Sequence, residues 1–207
     1  MMTTRTYTPK TSALVLVDLL NDFLAEDGKL IGQIGPMLEK LNFKSHIERL
    51  LSAARKAGLV VIFAPHGVDD HSFDDVKCLH PRFQWALDNK VLRTGDYGAE
   101  FYEPFKPLPG EIVVSRHRMF NSFQGTDLHA QLKKKNIENV ILAGLTSQTC
   151  IEGTGRHALE LGYHVTFLKD AVAEFTEKAH LAALDISYPT FGHEVLTIDE
   201  FFSRLVA

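Results

Sequence analysis

Six short apolar runs recur along the chain, and their patterning limits the folds open to it. Residues 13–17, 60–63, 112–114, 140–142, 165–168 and 195–198 are rich in β-branched side chains. Most of these runs are apolar at successive positions rather than at alternate ones. A strand with one wet face alternates, whereas an unbroken apolar run marks a strand covered on both faces, as parallel strands are. Helical patterns lie between the runs, over 35–57, 126–135, 150–161, 176–187 and 198–206. Gly58 and Gly162 stand where a helix closes and the next strand begins. This alternation predicts an α/β fold, a three-layer α/β/α sandwich around a mostly parallel six-stranded sheet. Its ligands are expected beyond the carboxyl ends of the strands.

One stretch departs from the alternation. Residues 66–110 hold Pro81, Pro104, Pro107, Pro109 and the only tryptophan, Trp85, without a clear long helix. Connections of this length are usually functional, so the stretch reads as an excursion that covers a pocket or forms an oligomer interface. The 207 residues fit one domain over 1–207 that carries this insertion. A content of 45% hydrophobic and 23% charged residues is ordinary for a globular chain and argues against disorder or a membrane protein. The net charge of -4 gives no support to a nucleic-acid partner. No apolar run approaches the roughly 18 residues of a spanning helix, and the first ten residues lack the apolar stretch of a signal peptide. Two cysteines do not make a disulfide framework, so free thiols and a cytoplasmic location are expected.

Three places hold residues suited to chemistry. Cys150 follows the fourth run through Gly144-Leu145-Thr146-Ser147-Gln148-Thr149, where a helical pattern begins. A thiol there faces unpaired backbone N–H groups and the positive end of the helix dipole, which favour the nucleophilic thiolate. The same N–H groups could hold the oxyanion formed when sulfur attacks a carbonyl. By residue type alone Cys150 reads as a core cysteine; its place in the turn is what argues for reactivity. Asp18 directly follows the first run and points into the same crevice, where it could take the thiol proton or serve as a turn or helix cap. The third run leads into Ser115-Arg116-His117-Arg118, a set of cations at the same sheet edge that would stabilise both an aspartate and a thiolate. Arg116 and Arg118 are equally read as solvated or as partners of a substrate carboxylate.

Four segments in order resemble the isochorismatase-like cysteine hydrolases, a family that includes nicotinamidases and other amide- and ureido-cleaving enzymes. They are Val17-Asp18-Leu19-Leu20-Asn21-Asp22-Phe23, Phe123-Gln124-Gly125-Thr126-Asp127-Leu128, Ala143-Gly144-Leu145-Thr146-Ser147-Gln148-Thr149-Cys150 and Thr154-Gly155-Arg156-His157-Ala158. The resemblance spans nearly the whole chain. It implies an aspartate base, a cysteine nucleophile and a lysine supporting their ionisation, with Asp18 and Cys150 matching residue by residue. It also implies a cis peptide at Leu145–Thr146 and an oxyanion hole made by the N–H groups of Thr146 and Cys150. The lysine is missing. An ungapped count back from Phe123 puts His117 in its place, whereas matching the strand end first puts Arg116 there. The ungapped count keeps the family's spacing, so protonated His117 is expected to replace the lysine charge, and Arg116 to assist substrate binding.

The implied reaction is hydrolysis of a C–N bond in a small amide or ureido-type substrate through a thioester, without a cofactor. The family also contains an enzyme that cleaves a vinyl ether with no need for a cysteine, and a noncatalytic ligand-binding oligomer is a further alternative. The expected partners are a small-molecule substrate and copies of the same chain, with 66–110 as a reasonable interface, and neither nucleic acid nor membrane. Phe23, Phe120 and His66 are placed to line the pocket. Gly153-Thr154-Gly155-Arg156-His157-Ala158 formally fits a dinucleotide fingerprint, with Asp170 near the ribose-contact distance. Yet about ten residues separate the fourth run from Gly153, which puts the glycines inside a helix where they permit close packing. His66, His71 and His80, with Asp69 and Asp70, could suggest a metal cluster. Their spacing reads better as solvated loop histidines, and no metal is expected. Cys78, outside any helix start, should be the less reactive thiol.

Overall fold

In the computed structural model, which describes residues 5–206, six strands form one sheet in the order β3-β2-β1-β4-β5-β6. They are β1 (Ser12–Val17), β2 (Val60–Ala64), β3 (Ile112–Val113), β4 (Asn139–Leu145), β5 (His164–Ala173) and β6 (Glu194–Leu196). Every pairing is parallel. All six residues of β1 are buried, because alternate side chains enter different cores. Leu14 and Leu16 join one cluster, whereas Ala13, Val15 and Val17 join the other.

Helices cover both faces. Against the first face lie α2 (Ile31–Lys40), α3 (Phe43–Lys56) and α9 (Ile198–Ser203), which bury Ile34, Phe43, Ile47 and Phe201. The short α1 (Asn21–Leu24) follows β1 directly. Against the second face lie α5 (Leu128–Lys134), α6 (Glu152–Glu160) and α8 (Tyr188–Phe191), which bury Leu128, Leu132, Ala158 and Tyr188. The excursion carries α4 (Pro81–Asp88), and its Phe83 packs with Val68 and Phe73 in a third small cluster. Among the described residues no helix is long and apolar enough to cross a membrane.

The structure redraws several expected boundaries. The single helix expected over 35–57 is two helices, because Asn42 at their junction is left-handed, with φ 49°. The sixth strand stops at Leu196, because Thr197 and Glu200 form a capping box that starts α9 at Ile198. The helix expected over 176–187 is α7 (Glu177–Ala182) followed by a π-helical turn, Ala183–Ser187.

The excursion is tied to α1, just after β1, by polar bonds. Asp22 accepts from the N–H of Leu92 at 2.6 Å, and Asn21 Nδ2 donates to the Tyr97 carbonyl at 3.0 Å. These bonds explain two residues of the first family segment: they fold the excursion back over the end of the strand.

Gly153 and Gly155 lie inside α6, away from the strand-to-helix turn that a dinucleotide site needs. A Cβ on Gly155 would stand 2.2 Å from the Phe167 ring, and one on Gly153 would stand 2.1 Å from the Phe120 carbonyl. The second contact sets Phe120 against the start of α6. Helix propensity favours alanine over glycine by about 1 kcal/mol, whereas overpacking costs about 1–3 kcal/mol. Gly155→Ala should therefore lower stability in urea denaturation by up to about 2 kcal/mol; a raised midpoint would show that the close packing is dispensable.

Candidate active site

The strand order reverses direction between β1 and β4, and open α/β sheets bind ligands at that switch point. The register pairs Val17 with Gly144, so Asp18 and the turn leading to Cys150 emerge side by side. The approach is close: Gly144 has φ 119°, and a Cβ there would stand 2.1 Å from the Val17 carbonyl oxygen. Asp18 itself is left-handed, with φ 58°, a conformation that aspartate tolerates better than most residues. On the other side, an isolated bridge beyond β2 and β3 pairs His66 with His117. Gly67 N–H donates to the His117 carbonyl and His117 N–H to the Pro65 carbonyl, each at 3.0 Å.

These backbone constraints bring Asp18, His117 and Cys150 together, with one side-chain atom of each within 4.8 Å of the others and all three buried. Asp18 Oδ1 accepts from His117 Nε2 at 2.9 Å and from the His66 N–H at 2.6 Å. Asp18 Oδ2 has no partner among the described residues. His117 Nδ1 faces the Met119 carbonyl at 2.7 Å. A carbonyl only accepts, so Nδ1 carries a hydrogen; with Asp18 ionised, Nε2 carries the other, and the ring is then an imidazolium.

The electrostatics agree with that assignment. Burial alone would lower the His117 pKa, but the Asp18 charge and hydrogen bond outweigh it and hold the pKa above the ordinary histidine value. Burial alone would raise Asp18, yet His117 holds it below the ordinary carboxylate value. His66 is pushed down to about 4 by burial and then by the His117 charge, so it is neutral. Cys150 corrects an expectation: burial and then the Asp18 charge push its thiol well above the ordinary value, overriding the Thr149 hydroxyl and Thr146 N–H that favour thiolate. The helix start also differs, because a π-helical turn, Ser147–Ile151, precedes α6. The resting site thus holds a carboxylate, an imidazolium and a neutral thiol.

A cavity of about 490 Å³ opens onto this cluster. Phe23, His66, Phe120, Thr146, Asp18 and Cys150 line it. Arg116 does not. Its Nη1 donates to the carbonyls of His66 and Ala99, both at 2.8 Å, so it braces the loop that carries His66 instead of facing the cavity. Arg118 is likewise drawn away, to Asp75 and the Ser72 carbonyl. The Leu145–Thr146 peptide is cis. The Cys150 turn is braced by Tyr188, whose hydroxyl donates to the Ser147 carbonyl at 3.1 Å, and by Glu174, whose Oε2 accepts from Gln148 N–H at 2.9 Å.

Glu174 and Arg82 also line the cavity and were not expected there. The polar pair Lys169-Asp170 masked the continuation of β5 to Ala173, which would have placed Glu174 at a strand end. His80-Pro81 was a readable helix start for α4, with proline in the first turn and the His80 side chain accepting from Arg82 N–H. Asp170, the supposed ribose ligand, instead accepts from Ile198 N–H at the start of α9. His71 bonds Asp74 and His80 caps α4, so the excursion histidines do not converge. The only grouping of three metal-ligand side chains among the described residues is Asp18, His117 and Cys150, and there His117 Nε2 is engaged as a donor to Asp18. A wider groove of about 750 Å³ beside α2 is lined by no cysteine, histidine or buried charge.

Residues 12–200 match the isochorismatase domain model. The chain belongs to the isochorismatase family. It is 29% identical over 203 residues to a ureidoacrylate amidohydrolase from Variovorax paradoxus, covering 92% of this chain and 79% of that one. A cysteine hydrolase from Pseudomonas syringae pv. phaseolicola superposes with a TM-score of 0.80 at 25% identity, over 99% of this chain and 98% of the other. A nicotinamidase from Bacillus subtilis superposes with a TM-score of 0.68 at 26% identity, over 90% and 99%.

The thiol assignment has a direct readout. In wild-type protein, alkylation of Cys150 at neutral pH should be slower than that of the exposed Cys78 and rise only above the free-thiol range of about 8.5. Asp18→Asn removes the adjacent negative charge and should shift the Cys150 profile to lower pH. Fast neutral labelling of Cys150 that ignores this substitution would contradict the assignment.

Proposed function

We propose that this chain is a cysteine hydrolase that cleaves the C–N bond of a small amide or ureido-type substrate through a thioester. The reading rests on one observation: a buried cysteine shares a cavity with a carboxylate that has one oxygen free and the other held by an imidazolium. The amidohydrolases among its relatives support the same bond type.

The reaction begins with Cys150 as a thiol. As Sγ attacks the carbonyl carbon, the thiol proton passes to the free Oδ2 of Asp18, so thiolate need not accumulate. The N–H groups of Thr146 and Cys150 hold the oxyanion. Collapse breaks the C–N bond, and the departing amine takes the proton from Asp18. Water then attacks the thioester, giving its proton to Asp18; collapse breaks the C–S bond and releases the acid product, and sulfur takes the proton back from Asp18, which restores the thiol and the carboxylate. His117 stays protonated throughout. Its charge keeps Asp18 ionised despite burial, as the family lysine would.

The active protonation state requires ionised Asp18 and protonated His117. The kcat/KM profile should therefore hold a plateau from below about pH 4 to above about pH 6.5, falling on the acid side as Asp18 protonates and on the alkaline side as His117 deprotonates. His117→Ala should lower kcat/KM for the substrate found in an amide and ureide screen by about 100-fold or more. His117→Lys should restore much of it and move the alkaline limb upward. Arg116→Ala should act chiefly on thermal stability, because its bonds are structural. Turnover that survives Cys150→Ser at wild-type rate would reject the thioester and favour vinyl ether cleavage; an alkaline limb unmoved by His117→Lys would remove the imidazolium from the mechanism.

A further inference from the structure

The cavity holds a cation that the reaction does not use. Arg82 lies in the first turn of α4 and lines the cavity together with Trp85 and Ala86. These three residues stand at i, i+3 and i+4, so they share one face of the helix. The neighbouring arginines are matched: Arg93 pairs with Asp70 at 2.6 Å, Arg118 with Asp75, and Arg116 holds two carbonyls. Arg82 has no such pairing among the described residues; its guanidinium carbon lies 5.7 Å from the centroid of the Phe120 ring. No other lysine or arginine lines the cavity among the described residues, and His66, pushed down to about 4, adds no positive charge.

The remaining charges on the wall are engaged. Asp18 is bound to His117 through Oδ1, its Oδ2 being left for the proton of the reaction, and Glu174 spends its oxygens on the N–H groups of Gln148 and Phe175, each at 2.9 Å. The same wall carries the aromatic side chains of Phe23, Phe83, Phe120 and Phe175, beside the uncharged polar Gln33, Thr149 and Thr176. A ligand that satisfies this wall carries a negative charge for Arg82 and apolar surface for the aromatic side chains. A guanidinium binds a carboxylate through two parallel N–H bonds. A dianion such as phosphate would bring additional negative charge near Asp18 and Glu174, which disfavours it.

We propose that Arg82 is a specificity-determining residue, the anchor for a carboxylate carried on a planar apolar body whose other end presents the scissile amide to Cys150. The proposal rests on the amide-hydrolase reading above and narrows its substrate class. It also gives the excursion a role, since α4 supplies the end of the cavity that selects the substrate while the sheet supplies the end that reacts.

Trp85 is the only tryptophan, is 45% exposed and lines this cavity, so its fluorescence reports binding without turnover. Two matched pairs serve as probes, terephthalamate against benzamide and succinamate against butyramide, titrated into Cys150→Ala protein. The carboxylate-bearing member of at least the aromatic pair should bind about tenfold tighter or better, and Arg82→Gln should abolish most of that preference, with Arg82→Lys keeping part of it. The same preference in the Arg82→Gln protein, or none in either pair, overturns the anchor, as does tighter binding of inorganic phosphate than of terephthalamate. In protein with Cys150 intact, Arg82-dependent binding without turnover of any probe supports the anchor while counting against the hydrolase reading. Turnover without a carboxylate preference in KM does the reverse.

Discussion

Strand β1 hydrogen-bonds to β2 along one edge and to β4 along the other, and the site depends on that double pairing. It places the end of β1 where crossovers leave to opposite sides, toward α2 and α3 on one face and α6 on the other, which leaves a crevice there. Asp18 follows β1, His66 follows β2 and Cys150 follows β4, all from the carboxyl ends of neighbouring strands. His117 arrives from the β3 side through its bridge to His66. The close contact at Gly144 and the left-handed backbone of Asp18 are local consequences of bringing these chain ends so near each other.

Burial then governs the chemistry. A carboxylate removed from water would ordinarily protonate, and a buried histidine would ordinarily lose its proton. Paired at 2.9 Å, each holds the other in its charged form. The negative charge that remains effective toward Cys150, together with burial, keeps sulfur protonated. A stored thiolate is thereby disfavoured, and in the reaction we propose the proton leaves sulfur during attack. A histidine as the partner of Asp18 makes the arrangement sensitive to pH, because imidazolium loses its proton far below an ammonium group.

Much of this is legible in the sequence, for identifiable reasons. Unbroken apolar runs such as 13–17 declare a sheet covered on both faces, and the order of runs and helical patterns declares a parallel topology. Asp18 and Cys150 are readable because each directly follows a strand end or a strand-end turn. His117 is readable from spacing. The side chain of Arg116 is not, because its destination depends on carbonyls 50 and 17 residues away in sequence. The Cys150 ionisation escapes a sequence reading because a helix start is visible there, whereas burial and an anion brought from another strand are not. Glu174 and Arg82 escape notice for complementary reasons: one ends a strand interrupted by Lys169-Asp170, and the other sits on a helix of eight residues inside the excursion.

The claim that most directly separates this site from a lysine-based one is that His117 is a buried imidazolium. Imidazole nitrogen and carbon chemical shifts of His117, followed by NMR across a pH titration with Asp18→Asn as the comparison, measure it without any substrate. The account predicts both ring nitrogens still protonated above a pH of about 6.5, with that protonation lost at lower pH in Asp18→Asn. A single neutral tautomer at or below the ordinary histidine pKa, unchanged by Asp18→Asn, would contradict it.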